Sequence, residues 1–146
     1  MATLTQTGAG TGQGHMASNA VPKVYVQSTV IDGTSTALTS GDVYQAINVP
    51  ANSVVLSAGI DVITAGTGTG TLALGDGTVT YVAAATQTAG QMTSGDALAE
   101  LAVTYAAAAT LDVTVATANV NSKVRVWAIL VDIDGQGDTE SGDTYA

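Results

Sequence analysis

The chain has 146 residues, with three Lys or Arg against twelve Asp or Glu, a formal net charge of −9 and a pI near 4.1. That balance repels phosphate backbones and anionic bilayers, which are bound through basic side chains, so neither nucleic acid nor a membrane is an expected partner. There is no cysteine, and the single histidine, His15, sits in a glycine-rich opening stretch. Disulfides, thiolate metal sites and His-centred triads are thereby removed from the body of the chain.

Residues 1–20 carry Gly8, Gly10, Gly12 and Gly14 among Thr, Gln and Ala, with almost no large apolar group. They read as a flexible arm that an assembly can draw out into an extended form. No basic region followed by an apolar one opens the chain, so no secretory signal is expected.

From Lys23 the pattern turns to strands. Residues 23–31 alternate Val24, Val26, Ser28 and Val30 against Tyr25, Gln27, Thr29 and Ile31, and Asp32-Gly33 closes them with a turn pair. Strands follow at 42–49, closed by Pro50-Ala51-Asn52, and at 53–64, after which Gly66, Gly68 and Gly70 make a flexible crossing. Residues 71–74 and 78–83 flank Gly75-Asp76-Gly77, a hairpin signal because Asp-Gly tolerates positive φ. Residues 83–95 are polar and Ala-rich, and read as a long loop or one helical turn. Strands at 101–105 and 110–117 form another expected hairpin, with Leu111, Val113 and Val115 facing inward. Residues 123–133 make the longest and most apolar strand, expected to be central and covered on both faces.

These are eight short strands with turn signals between them and no amphipathic helix, which predicts an all-β, eight-stranded antiparallel β-sandwich over residues 21–134. An acidic tail, 135–146, follows. The large aliphatics are eighteen Val, six Ile and nine Leu, with no Phe. Such a core is thin for a lone monomer, so burial between subunits is expected to contribute. The tetrapeptide Thr-Ser-Gly-Asp occurs at 39–42 and again at 93–96, with Ile47 and Val49 matching Leu101 and Val103. A duplicated half and coincidence in a chain rich in Ala, Thr and Gly both account for it.

Catalytic residues are not expected. The glycine runs at 8–14 and 66–70 lack the strand, helix and Lys of a phosphate-binding loop. Asp96 and Glu100 pair on paper as glycosidase carboxylates. The few aromatics, Trp127 and Tyr25, Tyr44, Tyr81, Tyr105 and Tyr145, do not supply sugar platforms beside them. Arg125 and Trp127, two residues apart on one strand face, are interface candidates, since these residue types dominate binding energetics. Trp127 capping the core with Arg125 packed over it is the alternative.

The tail places Asp132, Asp134, Gln136, Asp138, Glu140 and Asp143 at the oxygen positions of a twelve-residue Ca²⁺ loop, with Gly137 sixth. An Asp stands where the bidentate Glu belongs and no helices flank the loop, so a solvated acidic tail is the competing reading. No cofactor is implied.

Three stretches carry a resemblance: VYQAINVPANSVVLSAGIDVITA, TLALGDGTVTYVAAA and ATLDVTVATANVNSKVRVWAILVDI. A strand ending at Val-Pro-Ala, a long Val-rich strand, a GDG hairpin and a last strand of form xVRVxAxxxD resemble capsid decoration (cement) proteins of tailed bacteriophages. The likeness runs from Val43 to Ile133. It implies a jelly-roll-like sandwich and a homotrimer on the outer capsid surface of the virion. It further implies the major capsid protein as partner, shell stabilisation as the role, and no chemistry. A receptor- or carbohydrate-binding module of a phage fibre, tail tip or bacterial adhesin is the alternative function, and exposed aromatics would mark it.

Overall fold

Strands with apolar residues at every second position bury that side only by pairing into sheets that face one another. In the computed structural model, which describes residues 23–90, 92–94 and 101–133, nine strands form two antiparallel sheets. The strands are β1 (Lys23–Asp32), β2 (Val43–Val49), β3 (Ser53–Thr64), β4 (Thr71–Gly75), β5 (Thr80–Ala85), β6 (Met92–Ser94), β7 (Val103–Tyr105), β8 (Ala109–Ala116) and β9 (Lys123–Asp132). One sheet runs β1-β9-β3-β6, with β7 also on β3; the other runs β2-β8-β4-β5. The expected all-β antiparallel sandwich is what forms.

The core lies between the sheets. Val124, Val126, Ala128 and Leu130 of β9 meet Val55, Ala58, Ile60 and Val62 of β3 on one side. Leu111, Val113 and Val115 of β8, Leu72 and Leu74 of β4, and Ile47 and Val49 of β2 complete it from the other. On β8 the alternation puts Leu111, Val113 and Val115 inside, while Thr110, Asp112 and Thr114 are half-buried on the far face.

Several expectations are corrected. The segments 101–105 and 110–117 are not a hairpin: β7 pairs with β3, and β8 pairs with β2 and β4 in the opposite sheet. Ala106, Ala107 and Ala108 between them offer no residue suited to a tight primed turn, so the chain crosses between layers instead. Within 83–95 there is no helical turn among the described residues. There β5 continues to Ala85 and Met92–Ser94 forms the ninth strand, beside residues 59–61 of β3.

The longest strand is β3, with 12 residues, whereas β9 has 10 and is covered on one face only. It is central, between β1 and β3. Nor do the two Thr-Ser-Gly-Asp copies share a conformation. Gly41 of the first sits in a turn at φ 95°, while Thr93 and Ser94 of the second are strand residues.

The β4–β5 hairpin is held at its turn by Asp76. Its Oδ1 accepts the N–H groups of Thr78 and Val79 at 2.7 and 2.6 Å, and Gly77 takes φ 88°. Asp76 Oδ2 also accepts the Tyr105 hydroxyl at 2.7 Å, and the Tyr105 and Tyr81 oxygens lie 2.9 Å apart. Because Tyr105 gives its only proton to the carboxylate, Tyr81 is the donor of the second bond. Burial alone would raise the Asp76 carboxyl pKa. The bonds from Val79 N–H, the Tyr105 hydroxyl and Thr78 N–H outweigh it and hold the group below its ordinary range. Burial, then the bonds with Tyr81 and Asp76, drives the Tyr105 phenol far upward.

This chain ties a turn of one sheet to a strand of the other. Tyr105→Phe strands the Tyr81 hydroxyl, and is expected to cost about 1–3 kcal/mol of unfolding free energy. The double variant Y81F/Y105F should recover part of that loss in urea titrations, since no hydroxyl is then left unpaired; a double loss equal to the sum of the singles would contradict the network. Because the folded-state pKa of Asp76 is depressed, its contribution is full above the ordinary carboxylate range and disappears as pH falls through the depressed value. The stability gap between the native chain and Asp76→Asn should therefore narrow on acidification.

Candidate assembly interface

The β1–β9 ladder runs ten residues with no bulge, pairing Val24 with Val131, Val26 with Ile129, Ser28 with Trp127 and Val30 with Arg125. On the other side of β9, Val131 meets Val54, Trp127 meets Gly59 and Arg125 meets Asp61. Directly opposed antiparallel residues point to the same side. These pairs therefore form rows across the outer face of the five-stranded sheet, away from the core.

On β1 the usual rule is inverted. Its apolar set, Val24, Val26 and Val30, faces outward and is 62%, 64% and 47% exposed. Its mixed set, Tyr25, Gln27, Thr29 and Ile31, faces the other sheet, where the Thr29 hydroxyl donates to the Ala46 carbonyl at 2.7 Å. Met92 on β6 extends the apolar face at the far edge, 66% exposed.

The opposite outer face has another character. Around β8 it presents Thr110, Asp112 and Thr114, with Gln45 and Asn48 of β2 and Thr71 of β4 beside them. This side is mainly polar, with Val43 opposite Thr114 as its exposed large apolar side chain, whereas the β1–β9 side is mainly apolar.

Arg125 and Trp127 are brought together on the apolar side, in adjacent rows. Trp127 is thus not a core cap: the core positions of β9 are its neighbours Val126 and Ala128. The indole lies over Gly59, where an added Cβ would stand 2.6 Å from Trp127 Cζ2 and 2.7 Å from the Thr93 carbonyl oxygen. Its Nε1 is buried with no hydrogen-bond partner, which is unusual for an indole N–H.

Arg125 Nη1 stands 3.8 Å from Asp61 Oδ2, and Lys123 Nζ 3.1 Å from Asp32 Oδ2. The Thr34 hydroxyl, then Lys123, then the Thr34 N–H hold the Asp32 carboxyl at about 2. The chain's three basic residues all belong to β1 and β9. With Lys123 and Arg125 paired to Asp32 and Asp61, these charges on the outer face cancel within a chain of net charge −9.

Other candidates fall away or lie elsewhere. The crossing at 66–70 is pinned, not flexible. Gln87, 5% exposed, donates from Nε2 to the Gly70 carbonyl and accepts the Asn121 N–H on Oε1, both at 3.0 Å. Asn121 Oδ1 in turn accepts the Thr67 N–H at 2.9 Å. These glycines serve close packing, as an added Cβ at Gly70 would crowd the Ala118 and Asn119 carbonyls.

Of the Ca²⁺ candidates only Asp132 is described, at the end of β9. Asp134, Gln136, Asp138, Glu140 and Asp143 lie outside the described residues, as do Asp96, Glu100 and His15. No group of three His, Asp or Glu side chains converges among the described residues. Every described aromatic is buried or half-buried, so these residues present no exposed platform for a sugar.

The sequence pointed to Arg125 and Trp127 but not to the valines around them. The available signal was the excess of Val24, Val26 and Val30 over their alternates on a strand next to a turn pair.

No protein-family model matches the chain, and no curated protein does. Its fold is similar to that of three chains from solved phage capsids. One is from the capsid of Ralstonia phage GP4, with TM-score 0.57 and 19% identity over 75% of this chain and 84% of that one. Another is from the cyanophage Pam1 capsid, with TM-score 0.53 and 29% identity over 75% and 84%. The third, from the acid-stable capsid of Helicobacter pylori bacteriophage KHP30, has TM-score 0.51 and 15% identity over 76% and 89%. The class is thus an antiparallel β-sandwich similar to chains of solved phage capsids.

Gly59→Ala should force the Trp127 indole off β3. The expected cost is about 1–3 kcal/mol of stability, as for overpacking of a well-filled site. Because Trp127 is the chain's single tryptophan, its fluorescence should shift to the red in the same variant. An unchanged emission maximum would show that the indole does not rest on Gly59.

Proposed function

We propose that this chain is a virion structural protein, a capsid decoration (cement) protein. In this reading it sits as a homotrimer on the outer surface of a phage head and stabilises the shell against separation of its subunits. The outward apolar face of β1 and β9 carries the reading. A soluble monomer has no use for three half-exposed valines beside a tryptophan, and such a face marks a surface that another protein covers. The partner is the major capsid protein. Arg125 and Trp127, at the centre of the patch, are the anchors, because a partly desolvated Arg and a large indole give the greatest return on burial.

The phage-capsid likenesses support the same reading, and so does the strand order. When β6 and β7 are counted as two pieces of one strand along β3, successive strands alternate between the sheets except at the β4–β5 hairpin, the order of a jelly roll. The polar outer face around Thr110, Asp112 and Thr114 is then the side left in water.

The test is decoration of undecorated shells by purified chain, followed by quantification of bound copies. Met92→Asp and Val30→Asp alter exposed side chains at the two margins of the face and should leave the fold intact. Each should weaken shell binding about tenfold or more, equivalent to about 1.4 kcal/mol for a buried apolar contact replaced by a charge. Binding should also move the Trp127 emission to the blue. If both variants decorate shells as the native chain does, the apolar face is not the docking surface.

A further inference from the structure

The sandwich has one edge that is long, regular and unprotected. Along all ten residues of β1 the ladder to β9 is free of register shifts, and β1 ends the strand order of its sheet. Between Lys23 and Asp32 it carries no charge and no proline. Natural edges are usually blunted by charge, proline, a bulge or shortness, because an open row of N–H and C=O groups invites another strand. The edge of the other sheet is treated in that way: β2 is shifted between Gln45 and Ile47. The β1 edge has no shift and no proline, and its charges stand only at its two ends, Lys23 and Asp32.

We propose that this edge is a strand-addition site, and that its occupant is residues 2–7 of a neighbouring copy of the same chain. The segment is Ala-Thr-Leu-Thr-Gln-Thr, with Thr3, Thr5 and Thr7 alternating with Leu4 and Gln6. β-branched residues at every second position favour an extended strand. Residues 1–22 contain no Asp, Glu, Lys or Arg, whereas residues 134–146 carry four acids and residues 95–100 carry two within six positions. Of the chain's own segments outside the described residues, only the first matches an uncharged edge without adding to the repulsion of a −9 protein.

Length selects a neighbour over the same copy. Residues 8–22 separate the segment from β1, and a hairpin back onto the same strand uses about 2–5 residues, not this many. Drawn out, the same spacer reaches about 50 Å at roughly 3.3 Å per residue, enough to cross to an adjacent subunit. A contact of one copy's arm on the next copy's edge is heterologous, and closes into a ring when the rotation allows. Thr or Leu4 side chains from the added strand then lie beside Val24 and Val26, where this chain alone leaves them open. The inference rests on the homotrimer of the functional reading and supplies its linkage.

The chain has no cysteine, so engineered pairs report without background. In the full chain carrying both Thr5→Cys and Val26→Cys, or Thr5→Cys and Ser28→Cys, mild oxidation should give covalent dimers and trimers on a non-reducing gel. A pair of Thr5→Cys with Val43→Cys, on the other sheet, should not. Removal of residues 2–7 should leave the far-ultraviolet β spectrum intact and weaken trimer association about tenfold or more, as loss of an added strand predicts.

Only intrachain disulfides would overturn the exchange. A trimer that forms and decorates shells without any of these cross-links would overturn it too, with the functional reading left standing. A chain that stays monomeric and leaves shells bare would overturn both.

Discussion

The sandwich is arranged around β9, because a strand flanked by partners on both edges has no freedom left in which face each side chain takes. Its register with β1 and with β3 is fixed along its length, so each residue is assigned to one face by parity alone. Val124, Val126, Ala128 and Leu130 are committed to the core. Arg125, Trp127, Ile129 and Val131 are committed to the opposite side. A shift by one residue would exchange the two sets and bury Arg125 and Lys123 in the sandwich. The ion pairs Lys123–Asp32 and Arg125–Asp61 tie β9 to β1 and β3 on the outer side. Exposed pairs of this kind contribute little stability. Their value here is in register and in cancelling charge on a face that is otherwise apolar.

The same parity explains what could and could not be read from the sequence. Existence and type of nearly all strands followed from alternation, and the Gly75-Asp76-Gly77 hairpin followed from turn chemistry. What failed was pairing. β7 and β8 look like a hairpin because both alternate and only a few alanines separate them, yet alternation says nothing about which sheet a strand joins. Met92–Ser94 is too short and too polar to show a period, and its strand form comes from the free edge of β3. The extra residues at the irregularities of the β3–β9 ladder, Leu56 and Ile63, end up 36% and 41% exposed. No local pattern marks them as different from Val55 or Val62.

The candidate surface was half legible. Arg125 and Trp127 stand out by residue type in a chain with so few of either. The valines of β1 do not, because a Val-x-Val-x-x-x-Val pattern ordinarily means a core face. Only the position of β1 at the sheet edge, with Thr29 bonded across to the Ala46 carbonyl, shows that its polar side is the one turned inward. Arm and tail segments leave their mark in composition alone.

A core without phenylalanine has to find rigidity elsewhere, and two polar networks supply it. Tyr81, Tyr105 and Asp76 join the β4–β5 turn to the opposite sheet through a relay in which each hydroxyl gives its proton to the next oxygen. Gln87 and Asn121 clamp the glycine crossing against the loop before β9. In a site shielded from water such bonds demand good geometry, since an unpaired member costs more than the bond contributes. The sandwich is thus stiff at its ends and plain along its outer faces. Along β1 the ladder to β9 has no shift, and a regular edge beside an apolar face is the form of surface that a second chain can extend without first having to order it.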